Sequence, residues 1–147
     1  MNSIVSLYAF LHVLALGLWG GCVAVEMLLE SAAKSDPGLR VQVARYHDTI
    51  DRYIETPILI AVLVTGLLLL HWELLQGWYL VLVVSGSTAV LINFLCVIPV
   101  VRRKRAVDAG DMSRVDADSR WIFRAFWTGA SAAAIAFFSA AVLRGWV

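Results

Sequence analysis

Four uninterrupted apolar stretches, at about residues 4–29, 54–72, 77–101 and 121–142, limit what this chain can fold into. Each reaches the roughly 18 residues needed to cross a hydrocarbon core about 30 Å thick. Lipid offers no partner to a bare backbone N–H or C=O, so only helices or closed barrels span it. Runs that are continuous rather than alternating predict helices. The expected fold class is all-α, an integral membrane four-helix bundle forming one transmembrane domain over residues 1–147. Composition agrees: 61% of the residues are hydrophobic and 16% charged, against about 45–50% and about 25% in soluble domains. The first run has no Lys or Arg before residue 11 and extends well past the length of a signal h-region, which predicts a retained helix rather than a cleaved leader.

The distribution of basic residues predicts orientation. Lys34, Arg40, Arg45 and Arg52 lie in the segment at about 30–53, and Arg102, Arg103, Lys104, Arg105, Arg114 and Arg120 in that at about 102–120. The turn at 71–76 and the N-terminal tail have none, and Arg144 alone marks the C-terminal tail. By the positive-inside rule the two basic segments are expected in the cytoplasm and both termini outside it, in a membrane of the bacterial inner-membrane kind. Trp72, Trp78, Tyr79 and Trp146 at one level, and Tyr46, Tyr53 and Trp121 at the other, match interfacial belts. The run Arg102–Arg105 is expected to enforce topology and to touch anionic lipid heads. A net charge of +1 gives no support for a nucleic-acid partner. Cys22 and Cys96 both fall in apolar runs, so no disulfide framework is expected.

Helices are expected to project beyond the bilayer at the basic end. Asp36-Pro37 is an N-cap with Pro at the first helical position, and Leu39, Val43, Tyr46, Ile50 and Tyr53 then recur at helical spacing. Pro57 is expected to kink this helix. Gly110-Asp111 marks a break, with Asp111 or Ser113 capping the last helix. That helix is rich in small residues from Gly129 to Ala141, which suit close packing inside the bundle or against a partner.

Ionisable residues at membrane depth are functional candidates. His12 lies near the middle of the first span. It is either a core histidine bonded to a neighbour, or a haem b ligand or proton relay. Gly17, Gly20 and Gly21 leave room beside it for a flat cofactor and Trp19 could wall the pocket, though such glycines equally serve helix packing. His71, at the far end of the second run, could complete a bis-histidine metal site or be a solvated boundary residue. Glu26, Glu30, Arg52, Glu55 and Arg124 share the inner level, where they either pair with one another or recognise a carboxylate or phosphate through Arg52 and Arg124. His47, with Asp48 and Asp51 nearby, is expected on a solvated face.

His12 and Trp19, within Leu-His-Val-Leu-Ala-Leu-Gly-Leu-Trp-Gly, resemble the first helix of HemJ-type protoporphyrinogen oxidases and the related CopD-like membrane proteins. Arg52, Pro57 and Gly66, and Gly77-Trp78 opening the third span, fall at similar spacings, and the order of long and short loops matches over nearly the whole chain. The resemblance implies a four-helix core holding haem b, with His12 at the ligand position. HemJ-type proteins also carry a functional lysine after the Gly-Trp. Here Tyr79, Leu80, Val81, Leu82 and Val83 follow, and no lysine lies in any span.

Three functions are therefore expected as alternatives. The first is a haem b-binding membrane redox protein, either an oxidase of the HemJ kind or an electron carrier. The second is a non-catalytic accessory subunit of a respiratory or photosynthetic complex. The third is CopD-like copper handling, for which Met27, Cys22 and Cys96 form no visible ligand cluster with His12. The bilayer is the expected partner, with a homo-oligomer or a larger membrane complex as further possibilities.

Overall fold

A computed structural model describes residues 3–146. Its helices are α1 (Ser3–Ala32), α2 (Pro37–Ile50), α3 (Thr56–Leu68), α4 (Gly77–Asp108) and α5 (Met112–Leu143). No strand occurs among the described residues. Short 3-10 turns occupy Ala33–Ser35 and Trp72–Leu74. A wide π turn over Asp51–Glu55 joins α2 to α3 without a break, making one helical rod. The Pro57 ring lies just beyond it. Pro57 has no N–H to give the carbonyl one turn back, and this is the usual setting for a departure from α geometry.

The caps follow the sequence. Asp36 Oδ1 accepts from the backbone N–H groups of Gly38 (2.8 Å) and Leu39 (3.1 Å), opening α2. Asp111 accepts from the Arg114 N–H at 3.1 Å and from the Ser113 hydroxyl at 2.7 Å, so Asp111 is the cap of α5. Between α4 and α5, Gly110 has φ +73°. The Asp111 N–H reaches back to the Ala106 carbonyl (2.9 Å) and the Gly110 N–H to that of Val107 (3.1 Å). These two bonds form a Schellman motif, which needs the left-handed residue that glycine supplies. Gly110→Ala should cost about 1–2 kcal/mol and lower the thermal midpoint followed by circular dichroism in detergent. Gly20→Ala, where a Cβ would meet nothing within 4 Å, should not.

α4 and α5 form a hairpin packed along its length, with Ala132 and Ser139 buried and a Cβ on Gly86 standing 3.9 Å from Ala136 Cβ. α1 packs on α3, and α2 on α4. A small apolar core of Ala15, Leu59, Val62 and Val90 is bordered by Leu16, Trp19, Ile58 and Phe94. Elsewhere the usual rule inverts. Phe10, Val13, Leu28 and Phe137 are exposed, while Glu26, His47, Asp51, Glu55 and Arg103 are buried. An apolar outside over a charged inside suits lipid as solvent and not water. With three helices long and apolar enough to cross a bilayer, α1 with its 3-10 extension, α4 and α5, the chain is an all-α integral membrane protein.

As expected from the Gly110-Asp111 break, α4 and α5 project past the apolar runs at the basic end, α4 to Asp108 and α5 from Met112. One expected boundary moves. The second apolar run becomes α3, which ends at Leu68 and has 13 residues. At 1.5 Å per residue that helix is roughly 20 Å long, and the π turn before it extends the rod. His71 and Trp72 consequently lie in the connection and not in the helix.

Candidate functional site

Side chains singled out in the sequence fall in three places. His12 faces α3. Its Nδ1 lies 2.9 Å from Thr65 Oγ1, and the Thr65 hydroxyl gives its proton to the Ala61 carbonyl at 2.6 Å. The threonine oxygen is therefore the acceptor, which places the proton on Nδ1 and leaves the lone pair on Nε2. The ring lies against Gly66, where a Cβ would stand 3.2 Å from His12 Cε1. His71 is exposed, with Nδ1 3.4 Å from Glu73, and its backbone N–H donates to the Tyr79 hydroxyl at 3.0 Å. The two histidines thus have separate partners.

Trp19 is on the wall of a large cavity, with its buried Nε1 lacking a hydrogen-bond partner. The cavity, about 1150 Å³, opens between α1 and α5. Leu16, Gly17 and Gly20 form one wall, and Phe126, Gly129 and Ala133 the other. It ends at the basic end of the bundle on a cluster of buried charges from α1, α2, the π turn and α4.

His47 is the centre of that cluster. Its Nε2 lies 3.3 Å from Glu26 Oε2 and 3.5 Å from Asp51 Oδ1, and its Nδ1 3.0 Å from Glu30 Oε1. Arg103 Nη2 donates to the same Glu30 oxygen at 2.6 Å and lies 2.8 Å from His47 Nδ1. Glu55 is buried close by in the π turn. Glu26, His47 and Asp51 each offer one ligand atom, all within 4.8 Å of one another, and all three residues are buried. Glu26 Oε1, Asp51 Oδ1 and Glu55 Oε1 have no hydrogen-bond partner. The carboxylates of Glu26, Glu30, Asp51 and Glu55 face one guanidinium and one imidazole, so the cluster carries an excess of acid.

The groups at the α2 end are shifted by this surrounding charge and by burial. Burial alone would lower the His47 pKa, but hydrogen bonds to Glu26 and Glu30 and the charges of Glu26 and Asp51 outweigh it and push it up to about 10. Burial raises the Asp51 carboxyl to about 9; the Glu26 and Glu55 charges add to this and His47 opposes it.

Two expectations are corrected here. His47 is not solvated: it is 6% exposed, because the side of α2 carrying Val43, Ala44, His47 and Asp48 turns inward against α4 and α1. Tyr46 and Tyr53, from the apolar stripe read in the sequence, are exposed instead. Nor is the basic run uniformly a lipid-facing patch. Arg103 is 2% exposed and holds Glu30, while Arg102 pairs with Asp118 at 2.7 Å. The expected pairing at the inner level is present in part. Arg52 pairs with its own-helix Asp48 at 2.9 Å, whereas Arg124 is exposed on the cavity wall with no ion pair among the described residues. The missed signal is the i, i+4 ladder His47, Asp51, Glu55, which puts three ionisable groups on one face.

Fold and site together define a membrane protein with a buried carboxylate–histidine centre at one end of a lipid-sided cavity. The chain belongs to the DUF2269 family, described as predicted integral membrane proteins, whose model matches residues 6–145. No curated protein and no solved structure matches it.

Proposed function

We propose that this protein is a membrane metal-binding protein whose centre takes a divalent first-row cation on Glu26, His47 and Asp51. The observation that carries this reading is the spacing of three buried ligand atoms. Metal–ligand bonds of about 2.0–2.2 Å set neighbouring ligands of a tetrahedral site roughly 3.4 Å apart, and His47 Nε2 lies 3.3 and 3.5 Å from Glu26 Oε2 and Asp51 Oδ1. An ion on Nε2 needs the proton on Nδ1, where Glu30 lies 3.0 Å away to accept it. The Arg103 Nη2 group, now 2.8 Å from Nδ1, must then donate to Glu30 alone, giving the carboxylate–histidine–metal relay common in such sites. Arg103 holds Glu30 from the other side. Four acids face two bases, so a divalent ion can take the place of the protons that His47 and Asp51 hold in its absence. Two oxygen ligands and one nitrogen favour Mn²⁺, Fe²⁺ or Zn²⁺ over Cu⁺, which prefers sulfur. Met27 and Cys96 line the same cavity, but neither belongs to the group of three.

Protein stripped with a chelator and reloaded with Mn²⁺ or Zn²⁺ in detergent should retain about one ion per chain by elemental analysis after desalting. Glu26→Gln and Asp51→Asn should each weaken retention by about tenfold or more. Unchanged retention in both variants, or none in the native chain, would sink the assignment.

A second reading, haem b on His12, rests on the likeness to HemJ-type oxidases and on one contact. The Thr65 hydroxyl orients the imidazole with Nε2 free to ligate, as second-shell partners of haem and metal histidines do. The fit is partial, since His12 lies on the α3 side of α1 while the open space beside the helix is at Gly17 and Gly20. Haem would supply one-electron chemistry; the chain's own part would be to hold and orient the ligand ring. A Soret band lost in His12→Ala supports it, and a colourless preparation eliminates it.

A further inference from the structure

The cavity has a second chemistry at its rim. Lys34, Arg120 and Arg124 border it at the basic end, and none of them has a carboxylate within ion-pair distance among the described residues. The other cations of the rim are neutralised, Arg40 by Asp116 at 3.1 Å and Arg103 by Glu30. Lys34 lies 5.7 Å over the Phe123 ring, which holds its ammonium beside the opening. Deeper in, Arg103 is almost fully buried, yet its Nε has no hydrogen-bond partner. Toward the middle of the molecule the walls become apolar and thin. Gly17 and Gly20 face space in which a Cβ would touch nothing within 4 Å, and Gly129, Ala130 and Ala133 stand across from them. α1 and α5 hardly touch one another.

A cavity with a cationic mouth at one membrane level and an apolar body extending toward the other matches one kind of molecule. We propose that the groove between α1 and α5 holds an anionic phospholipid, its phosphate on Arg120, Arg124 and Lys34 and one acyl chain lying along Gly17 and Gly20. Charge decides between lipids. Three cations at the mouth, none with a carboxylate within ion-pair distance among the described residues, attract an anionic head and gain little from a zwitterionic one. Near a membrane surface each basic residue contributes measurably to such binding. Shape decides the position, since the glycines let a chain approach the α1 backbone as a side chain would not.

The inference does not depend on an ion at Glu26, His47 and Asp51, and its test leaves metal retention as a separate readout. Purified full-length protein would be exchanged through nanodiscs of phosphatidylcholine with and without phosphatidylglycerol, then released into detergent for native mass spectrometry. The native chain should retain one phosphatidylglycerol in preference to phosphatidylcholine. The double variant Arg120→Gln/Arg124→Gln should lose that preference roughly tenfold. Arg105→Gln/Arg114→Gln removes two cations that lie at the same end but outside this cavity, and should keep it. Gly20→Leu, at a position where a Cβ meets nothing within 4 Å, puts a side chain into the slot and should lose bound lipid of either kind, with circular dichroism checking that the helices are kept. Equal retention of both lipids by the native chain, lipid retained in Gly20→Leu, loss of preference in Arg105→Gln/Arg114→Gln, or displacement of the lipid by inorganic phosphate alone would overturn the assignment. So would a cross-link between Cys residues placed at Gly20 and Ala130 that joins two chains, since a second copy would then fill the groove.

Discussion

Arg103→Met is expected to destabilise the protein by about 3 kcal/mol, the lower end of the usual cost of breaking a buried ion pair, because the Glu30 side chain is 24% exposed. The guanidinium is 2% exposed and lies 2.6 Å from Glu30. Without it Glu30 remains inside with only His47 to hold it, and the excess of acid grows by one charge. Arg105→Met, two positions along the same basic run, should change stability by less than about 0.5 kcal/mol, because Arg105 is exposed and makes no ion pair among the described residues. Denaturation of both variants in the same detergent tests the contrast. Equal effects would mean that the ion pair contributes nothing. Adding Glu30→Gln to Arg103→Met should recover part of the loss, because the buried charge left behind is then removed as well.

The second large effect is on pH. In chelator-treated protein the thermal midpoint should fall as pH rises from about 6.5 to about 10. Both shifted groups act in that direction. His47 has its folded pKa raised from 6.5 to about 10, so its stabilising contribution is complete below 6.5 and is lost on the way to 10. Asp51 is raised from 3.8 to about 9 and holds its proton in the folded state, so its contribution falls over that window too. The windows overlap between 6.5 and 9, where the decline should be steepest. His47→Gln should flatten it. On the metal reading, an ion at a hundred times its dissociation constant should add about 2.7 kcal/mol at any one pH. A midpoint that rises with pH in the chelated native protein would contradict the cluster's charge assignment.

The membrane class and the helix starts were legible because each depends on local chemistry. Apolar length, Asp36-Pro37 and Gly110-Asp111 act over a few residues, and all three keep their roles in the fold. The cluster was harder to read because its members come from distant places: Glu26 and Glu30 from the end of one helix, His47 and Asp51 from the next, and Arg103 from a run of four basic residues. Nothing local distinguishes Arg103 from Arg102 or Arg105; only the side of α4 that meets α2 does. The burial of His47 is hidden for a similar reason. The segment from Pro37 onward has the polarity of a solvated helix, its composition does not say which face is turned inward, and its large tyrosines, Tyr46 and Tyr53, lie on the exposed one. His12 is conspicuous by its depth alone, and its partner Thr65, 53 residues away on the neighbouring helix, is as distant in sequence as those of the cluster.

The α4–α5 hairpin, closed by the three residues Ala109, Gly110 and Asp111 and packed along its length, has only short-range closure to complete. The α1–α3 pair must bring together segments some fifty residues apart, as the His12–Thr65 bond does. Chain-closure entropy favours the hairpin as the early unit, with the other pair docking on it later. The side chains that then join the two halves are apolar in the middle, where Val90 meets Ala15, Leu59 and Val62, and ionic at the basic end, with Glu30 from one, Arg103 from the other and His47 between them. The molecule is thus assembled like a hinge fastened at one end by charge, and the open slot between α1 and α5 is the seam left where the halves meet.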